Sequence, residues 1–354
     1  MSIDPRKGKQ AIINKRKGRG QEIGVTPLDI GFDLFFSAKR TEGVRSRTLA
    51  DYKSYWRYFR EWLTEAHPEI EFIGQITVVT LREYIEYMSH EHKRYEGVEC
   101  RKKDGKTLSP ATVASRLRAL QTMCKFWATE GLAQTNPAEK VKAPRKDTAE
   151  KSIISDEQLS AIIAAADTST FAGHRDRVLM LLLADSGLRI NEALHLEESF
   201  IDIQARCIRL PGHLNKNRKP RIVPISASVL REVIRLIDEN REYFDTSFIF
   251  VSNYGDRLKA DQFRKRLRQY ANDAGIDTMT TKVSPHRFRD YFITNYLLNG
   301  GDLFTLQRIV AHADIKTTQG YVKVNEEAMR DSHTQYSQIS RLGLPRPRKR
   351  GRYV

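Results

Sequence analysis

A chain of 354 residues, 40% hydrophobic and 29% charged, is long enough for two ordinary domains with separate cores and has the composition of a soluble globular protein. Its longest apolar run, VLMLLLA at 178–184, is too short to cross a bilayer, and the basic N-terminus lacks the apolar core and small-residue cleavage site of a signal peptide. No membrane span is expected, and the protein is expected to stay in the cytoplasm. Cys100, Cys124 and Cys207 are scattered, with no paired spacing for zinc and an odd count that argues against a disulfide framework, and no acidic metal-binding cluster is evident. Neither a metal nor another cofactor is expected.

The net charge of +16 makes a polyanion the first partner to consider, because clustered Lys and Arg release condensed counterions from nucleic acid. That charge is uneven. Residues 1–26 hold seven Lys or Arg against two acids, residues 340–354 hold six against none, and the middle is nearly balanced. The ends are therefore either flexible arms that grip phosphate or solubilising tails.

In chain order, TLADYKSYWRYFREWLTE from Thr48 places Leu49, Tyr52, Trp56, Phe59 and Leu63 on one apolar stripe, which predicts a core-facing helix with a basic outer face. A second helix follows around TVVTLREYIEYMSHEH, then the polar loop YEGVECRKKDGKT. A third is entered at Ser109 and Pro110 and stopped at Gly131. The run TNPAEKVKAPRKDTAEKS at 135–152, with two prolines and no apolar period, reads as a linker, with the boundary near 145–150. Ser155 and Gln158 then form a capping box for a new helix. After it come an almost wholly apolar helix (RVLMLLLADSG), two short strands (CIRL and RIVPI) around a polar hairpin, and an amphipathic helix from Val229 to Asp238. Two more helices carry QFRKRLRQYANDAG and SPHRFRDYFITNYLLNG, the latter capped by Ser284 with Pro285 at its first position.

Three stretches of the second half carry reactive side chains. In DSGLRINEAL, Glu192 stands three residues after Arg189, a helical spacing that sets a carboxylate beside a guanidinium and pre-orients its planar fork for phosphate oxygens; the same pair also reads as a surface salt bridge. In SPHRFRD, His286 and Arg289 are three apart near a helix N-terminus, where backbone N–H groups and the helix dipole favour an anion; the alternative is a half-buried imidazole capped by a carbonyl. AHADIKTTQGYVKV adds His312 and, nine residues later, Tyr321.

Two arginines, two histidines and a tyrosine in this order resemble the active-site pattern of the tyrosine recombinases, the phage integrase and Xer-like family of DNA strand-exchange enzymes. SGLRINEAL resembles the first arginine motif, PHRFRDYFIT the histidine and second arginine motif, and AHADIKTTQGY the last box. TLADYKSYWRYF and SPATVASRLRALQTMCKFWATEGLAQTNPAEKV resemble the DNA-clasping helical domain that precedes them, so the likeness covers roughly residues 30–325. The family also uses a hairpin lysine, eight residues before the proline of the hairpin's second strand; counting back from Pro224 selects Lys216, with Lys219 as the substitute. Ala311 stands where the family usually has glycine, Ser186 where threonine is common, and Asp290 where histidine often follows the arginine; Asp290 either tunes the cluster or answers the helix dipole.

The resemblance implies a mainly α fold with a small β-sheet (α+β), a helical core-binding domain followed by a catalytic domain, closing on DNA as a C-shaped clamp. It implies a basic arm at 1–26, a helical (SAM-like) DNA-binding domain at 27–147, a catalytic domain at 148–325 and a C-terminal segment at 326–354 for oligomerisation, with a basic tail. It further implies a site-specific recombinase, the integrase or transposase of a mobile element, in which Tyr321 is the nucleophile, Arg189, Arg289 and His312 hold the phosphate, His286 is the base and Lys216 the acid. An Xer-like resolvase, a topoisomerase of the same chemistry and a catalytically silent accessory clamp are the rival readings. The implied partners are double-stranded DNA and other copies of the chain, assembled as a tetramer on DNA, with accessory proteins possible; the implied location is cytoplasmic, on the nucleoid. Lys53, Arg57 and Arg60 on the first helix, with Arg116 and Arg118 on the third, are candidate phosphate contacts or simply solvated faces.

Overall fold

The computed structural model describes residues 24–94, 105–145, 153–215, 219–278, 281–311 and 333–334. The chain divides into two compact units, Met1–Ala149 and Glu150–Val354. Among the described residues, no helix is long and apolar enough to cross a membrane.

The first unit is built from α1 (Leu28–Thr41), α2 (Ser46–Ala66), α3 (Val78–Glu86) and α4 (Pro110–Thr129). The apolar stripe of α2 turns inward as its spacing predicts, burying Trp56, Phe59, Trp62 and Leu63. Thr77 caps α3 by accepting from the Thr80 amide, and a π-helical turn, Tyr87–Glu91, continues that helix. Ser109 caps α4 in the same way through Thr112, with Pro110 in the first turn where a missing N–H costs nothing. The helix α1 has no counterpart among the sequence-based expectations. It lays Phe32 and Phe35 into the core, and Phe32 stacks on Trp56 with ring centroids 5.3 Å apart and planes inclined by 2°. The Trp127 indole N–H donates to the Gly31 carbonyl at 2.8 Å, tying α4 to α1.

The second unit holds α5 (Asp156–Ala164), α6 (Phe171–Ser186), α7 (Ile190–Ala193), β1 (Ile201–Asp202), β2 (Cys207–Leu210), β3 (Arg221–Pro224), α8 (Ala227–Tyr243), α9 (Ala260–Asp273), α10 (Pro285–Leu298) and α11 (Leu303–Val310). The Ser155 and Gln158 capping box opens α5 as expected. The strands form one antiparallel sheet in the order β1-β2-β3, with Ile208 opposite Ile201 on one side and Val223 on the other. The helix α6 runs through the core with Val178, Leu179, Met180, Leu182 and Leu183 inaccessible, and packs against α8 and α10. One buried carboxylate ties it to α9: Asp176 accepts from Arg175 (2.7 and 2.9 Å), from the Tyr270 hydroxyl (2.9 Å) and from Arg266.

The first turn of α10 corrects one expectation. Ser284 occupies the N-cap position with Pro285 after it, but its side chain makes no capping hydrogen bond. A backbone of φ −160° and ψ 159° and the proline's fixed ring define this start instead.

Candidate active site

The site is assembled from three chain segments that end near one another. The helix α6 stops because Gly187 adopts φ +62°, a left-handed cap open to glycine at little cost, and a Cβ there would stand 2.4 Å from the Phe292 ring of α10. The chain then turns, buries Leu188 and places Arg189 at the N-cap of α7. Glu192, the third residue of that short helix, closes the cap from the other side. Its Oε2 accepts the Arg189 backbone N–H and its Oε1 the Arg189 guanidinium, both at 2.9 Å. The expected pairing of Arg189 with Glu192 is thus present, with Arg189 at the cap position and not within the helix.

Arg289 comes from the second turn of α10 and is 1% exposed. Its Nη1 donates to the Gly187 carbonyl at 2.5 Å and its Nη2 to the Val310 carbonyl at 2.6 Å. Arg189 Nη2 reaches the next carbonyl, that of Ala311, at 3.3 Å. Two arginines a hundred residues apart in sequence therefore converge on adjacent peptide groups at the C-terminal end of α11. Carbonyls at a helix C-terminus carry the negative end of the helix dipole, so two guanidinium groups suit them well. Ala311 closes the helix in the left-handed region, φ 48° and ψ 57°, a conformation that explains why glycine suits the position.

His286 and Arg289 stand three apart on α10 and differ in burial. The His286 side chain is 70% exposed, and its Nε2 lies 3.7 Å from Asp290 Oδ1. Asp290 is buried and accepts from Arg287 at 3.0 Å. It stands in the second turn of α10, past the first turn where the helix dipole acts most strongly, and lies beside His286 and Arg287 of its own helix. Lys216, His312 and Tyr321 lie outside the described residues, as do most of the basic arm and nearly all of the C-terminal segment. His312 directly follows the Ala311 carbonyl in sequence.

Arg221 escaped the sequence reading. On β3 it alternates with the exposed Ile222 and shares a face with the inaccessible Val223, so a cation at an inward strand position was the available signal. Its Nη2 donates to Glu192 Oε2 at 2.7 Å. Burial disfavours the charged Glu192, but the Arg221 charge, the Arg189 amide and the Arg189 charge outweigh it and hold the carboxyl below its usual range. The carboxylate is consequently ionised throughout the neutral range, and the stability it lends is lost only as pH falls through that lowered value.

In the first unit, Lys53, Arg57 and Arg60 line a cleft of about 590 Å³ together with Asp29, Asp33 and Glu61, so the cations alternate with as many acids. Arg60 leans on Thr64 at 2.7 Å and Asp29 at 3.5 Å, while Arg57 and Arg118 are exposed. Arg116 departs from the expectation of a phosphate contact. It is 8% exposed, with its guanidinium 4.0 Å from the Tyr58 ring centroid, a cation–π contact that makes it part of the packing. Among the described residues no group of His, Cys, Asp and Glu is arranged to hold a metal ion.

Comparison with known proteins bears on the whole of this arrangement. The phage integrase family matches residues 152–328, and the phage integrase SAM-like domain matches residues 32–143. Tyrosine recombinase XerD of Vibrio cholerae is 25% identical over 298 residues, covering 83% of this chain and 91% of the relative. Tyrosine recombinase XerC of Chlamydia muridarum is 31% identical over 230 residues, 64% of this chain and 71% of the relative. Two solved structures share the fold. The Tn1549 transposon integrase in complex with circular intermediate DNA superposes with a TM-score of 0.68 at 18% identity, over 87% of this chain and 99% of the other. A lambda integrase dimer bound to a core site gives 0.64 at 16%, over 85% and 81%. With both units matched and the two arginines joined at one point, the chain belongs to the tyrosine recombinase, or phage integrase, family.

Proposed function

We propose that this protein is a site-specific DNA recombinase that cuts and rejoins duplex DNA through a covalent bond to Tyr321. The observation that carries the reading is the convergence of Arg189 and Arg289 on the Val310 and Ala311 carbonyls, immediately before His312, which precedes Tyr321 by nine residues. Phosphodiester cleavage builds negative charge on the nonbridging oxygens, and donors fixed beforehand stabilise it without reorganising. A guanidinium has five N–H donors, so anchoring on carbonyls at one edge is compatible with holding phosphate at another.

In this reaction the Tyr321 oxygen attacks phosphorus in line with the departing 5′ oxygen, forming a 3′-phosphotyrosyl bond and a 5′-hydroxyl. His286 takes the phenol proton, and Asp290 at 3.7 Å steadies the cation that results. Lys216 gives a proton to the 5′ oxygen, and Arg189, Arg289 and His312 bind the nonbridging oxygens. A hydroxyl from another strand reverses the step, and since the bond energy is kept, no nucleotide is consumed. The solved integrase complexes with DNA, the transposon integrase among them, support double-stranded DNA as substrate and a mobile element as the setting. The working form is a tetramer on two DNA sites, with residues 326–354 joining neighbouring copies, and the protein acts on the nucleoid.

The test incubates the protein with nicked suicide duplexes from the ends of its own element, in EDTA, and resolves covalent adducts on a denaturing gel. A 3′ adduct that Tyr321→Phe abolishes is the expected result. Site binding without any adduct returns the accessory-clamp reading, and an absolute requirement for magnesium would sink the arginine-based account of charge stabilisation.

A further inference from the structure

Glu192 serves more than the arginine beside it. Its Oε1 accepts from Arg189 Nη1 at 2.9 Å and from Arg221 Nη1 at 3.3 Å, and its Oε2 from the Arg189 backbone at 2.9 Å and from Arg221 Nη2 at 2.7 Å. Arg221 Nη1 also reaches Asn215 Oδ1 at 3.3 Å. The Asn215 amide in turn donates to the Lys219 carbonyl at 2.8 Å, across the stretch of hairpin between β2 and β3. Asn215 and Lys219 are thereby fastened to one another, and one path of hydrogen bonds runs from Asn215 through Arg221 and Glu192 to Arg189.

All members of the path except Arg189 and Lys219 are deeply buried: the Glu192 side chain is 2% exposed, that of Arg221 6%, and Asn215 1%. A buried ion pair is a poor source of net stability, because desolvation offsets most of the attraction and apolar residues of the same size do as well. Such a pair fixes register instead. Bidentate geometry is lost if the hairpin slides relative to α7, whereas apolar packing tolerates the slide.

We infer that Arg221, together with Asn215, is a positioning residue: it ties Asn215, the residue that precedes Lys216 in sequence, to the pair of Glu192 and Arg189. The inference rests on the recombinase reading, in which the residue after Asn215, Lys216, is the acid that protonates the departing 5′ oxygen. Arg221 touches neither DNA nor the reacting atoms in this role; it acts by delivering the proton donor to the right place. Removing it must therefore harm protonation of the leaving group and spare attack by Tyr321.

Replacing the bridging 5′ oxygen of the scissile phosphate with sulfur separates these steps. A thiolate leaves without a proton, since thiols ionise near pH 8.5. Single-turnover cleavage is measured on the ordinary and the sulfur-bridged suicide duplex for wild type, Lys216→Ala, Arg221→Gln and Asn215→Ala. On the ordinary duplex Arg221→Gln should lose about 100-fold and Asn215→Ala about 10-fold, the scale of a misplaced catalytic group, and both should return to within about 3-fold of wild type on sulfur, as Lys216→Ala does. Asn215→Ala leaves the pairing of Glu192 with Arg221 and Arg189 in place, so it decides the matter if Arg221→Gln does not fold. Equal losses on both duplexes, or no loss on either, overturn the positioning role while leaving the recombinase reading intact. A wild type that forms no adduct on either duplex overturns both.

Discussion

The two units solve the same packing problem with different materials. In the first, rings fill the core: Phe32, Phe35, Trp56, Phe59, Tyr84 and Trp127 lie in one cluster, and Arg116 is the one buried charged residue among those described. In the second, the cluster is mainly Leu, Ile and Val, yet Arg175, Asp176, Glu192, Arg289 and Asp290 are buried beside it. Aromatic packing has preferred ring geometries but needs no partner of opposite sign. Buried ions bring directional demands and a desolvation cost, so their concentration in the second unit marks where side chains must be held at fixed positions. Even in the first unit the exception follows the rule, since Arg116 is received by the face of Tyr58 and not by a carboxylate.

This contrast can be broken experimentally, and the largest effect is expected at Arg289. Its truncation to Ala should reduce single-turnover cleavage by about 1000-fold, the upper range for losing one preorganised donor to a developing oxyanion. A loss confined to stability would reduce Arg289 to a tie between Gly187 and Val310. Next in size, Asp176→Ala leaves Arg175 and Arg266 without their carboxylate and should destabilise the second unit by about 3–5 kcal/mol. Amide hydrogen exchange should show α6 and α9 opening while α1 and α2 keep their protection; equal loosening of both units would contradict separate cores. Trp127→Phe removes the indole N–H that donates to the Gly31 carbonyl, which keeps its place in the α1 ladder, and should cost the first unit about 0.5–1.5 kcal/mol, read by exchange in α1 and α4. The smallest effect belongs to Ala311→Gly. Relief of the left-handed backbone, offset by the greater unfolded-state freedom of glycine, should raise the melting free energy of the second unit by about 0.5 kcal/mol, and a decrease would mean that the methyl group packs usefully.

Much of the architecture was legible in the residues. Periodicity located α2, and turn chemistry located the starts of α4 and α5, because Ser109 and Ser155 act locally and need no tertiary context. The strands β2 and β3 were visible as short apolar runs, while β1, only two residues long, carries no period to detect. The helices α1 and α11 were missed, although each buries an apolar face. At the site, the Arg189 and Glu192 pair followed from spacing, but its junction with Arg289 could not, since it depends on backbone carbonyls that any residue possesses. Arg116 misled for a related reason: a cation on a predicted helix gives no sign of the ring that will cover it.

The ring-filled core has one more consequence. The chain has three tryptophans, Trp56, Trp62 and Trp127, and all of them are buried in the first unit. Indole emission is therefore a label, already in place, for one half of the molecule. A denaturant curve followed by fluorescence reports the first unit alone, whereas far-ultraviolet ellipticity sums the helices of both. Coincident curves would show the halves melting together, and the distance between separated midpoints would measure their autonomy without a probe being attached.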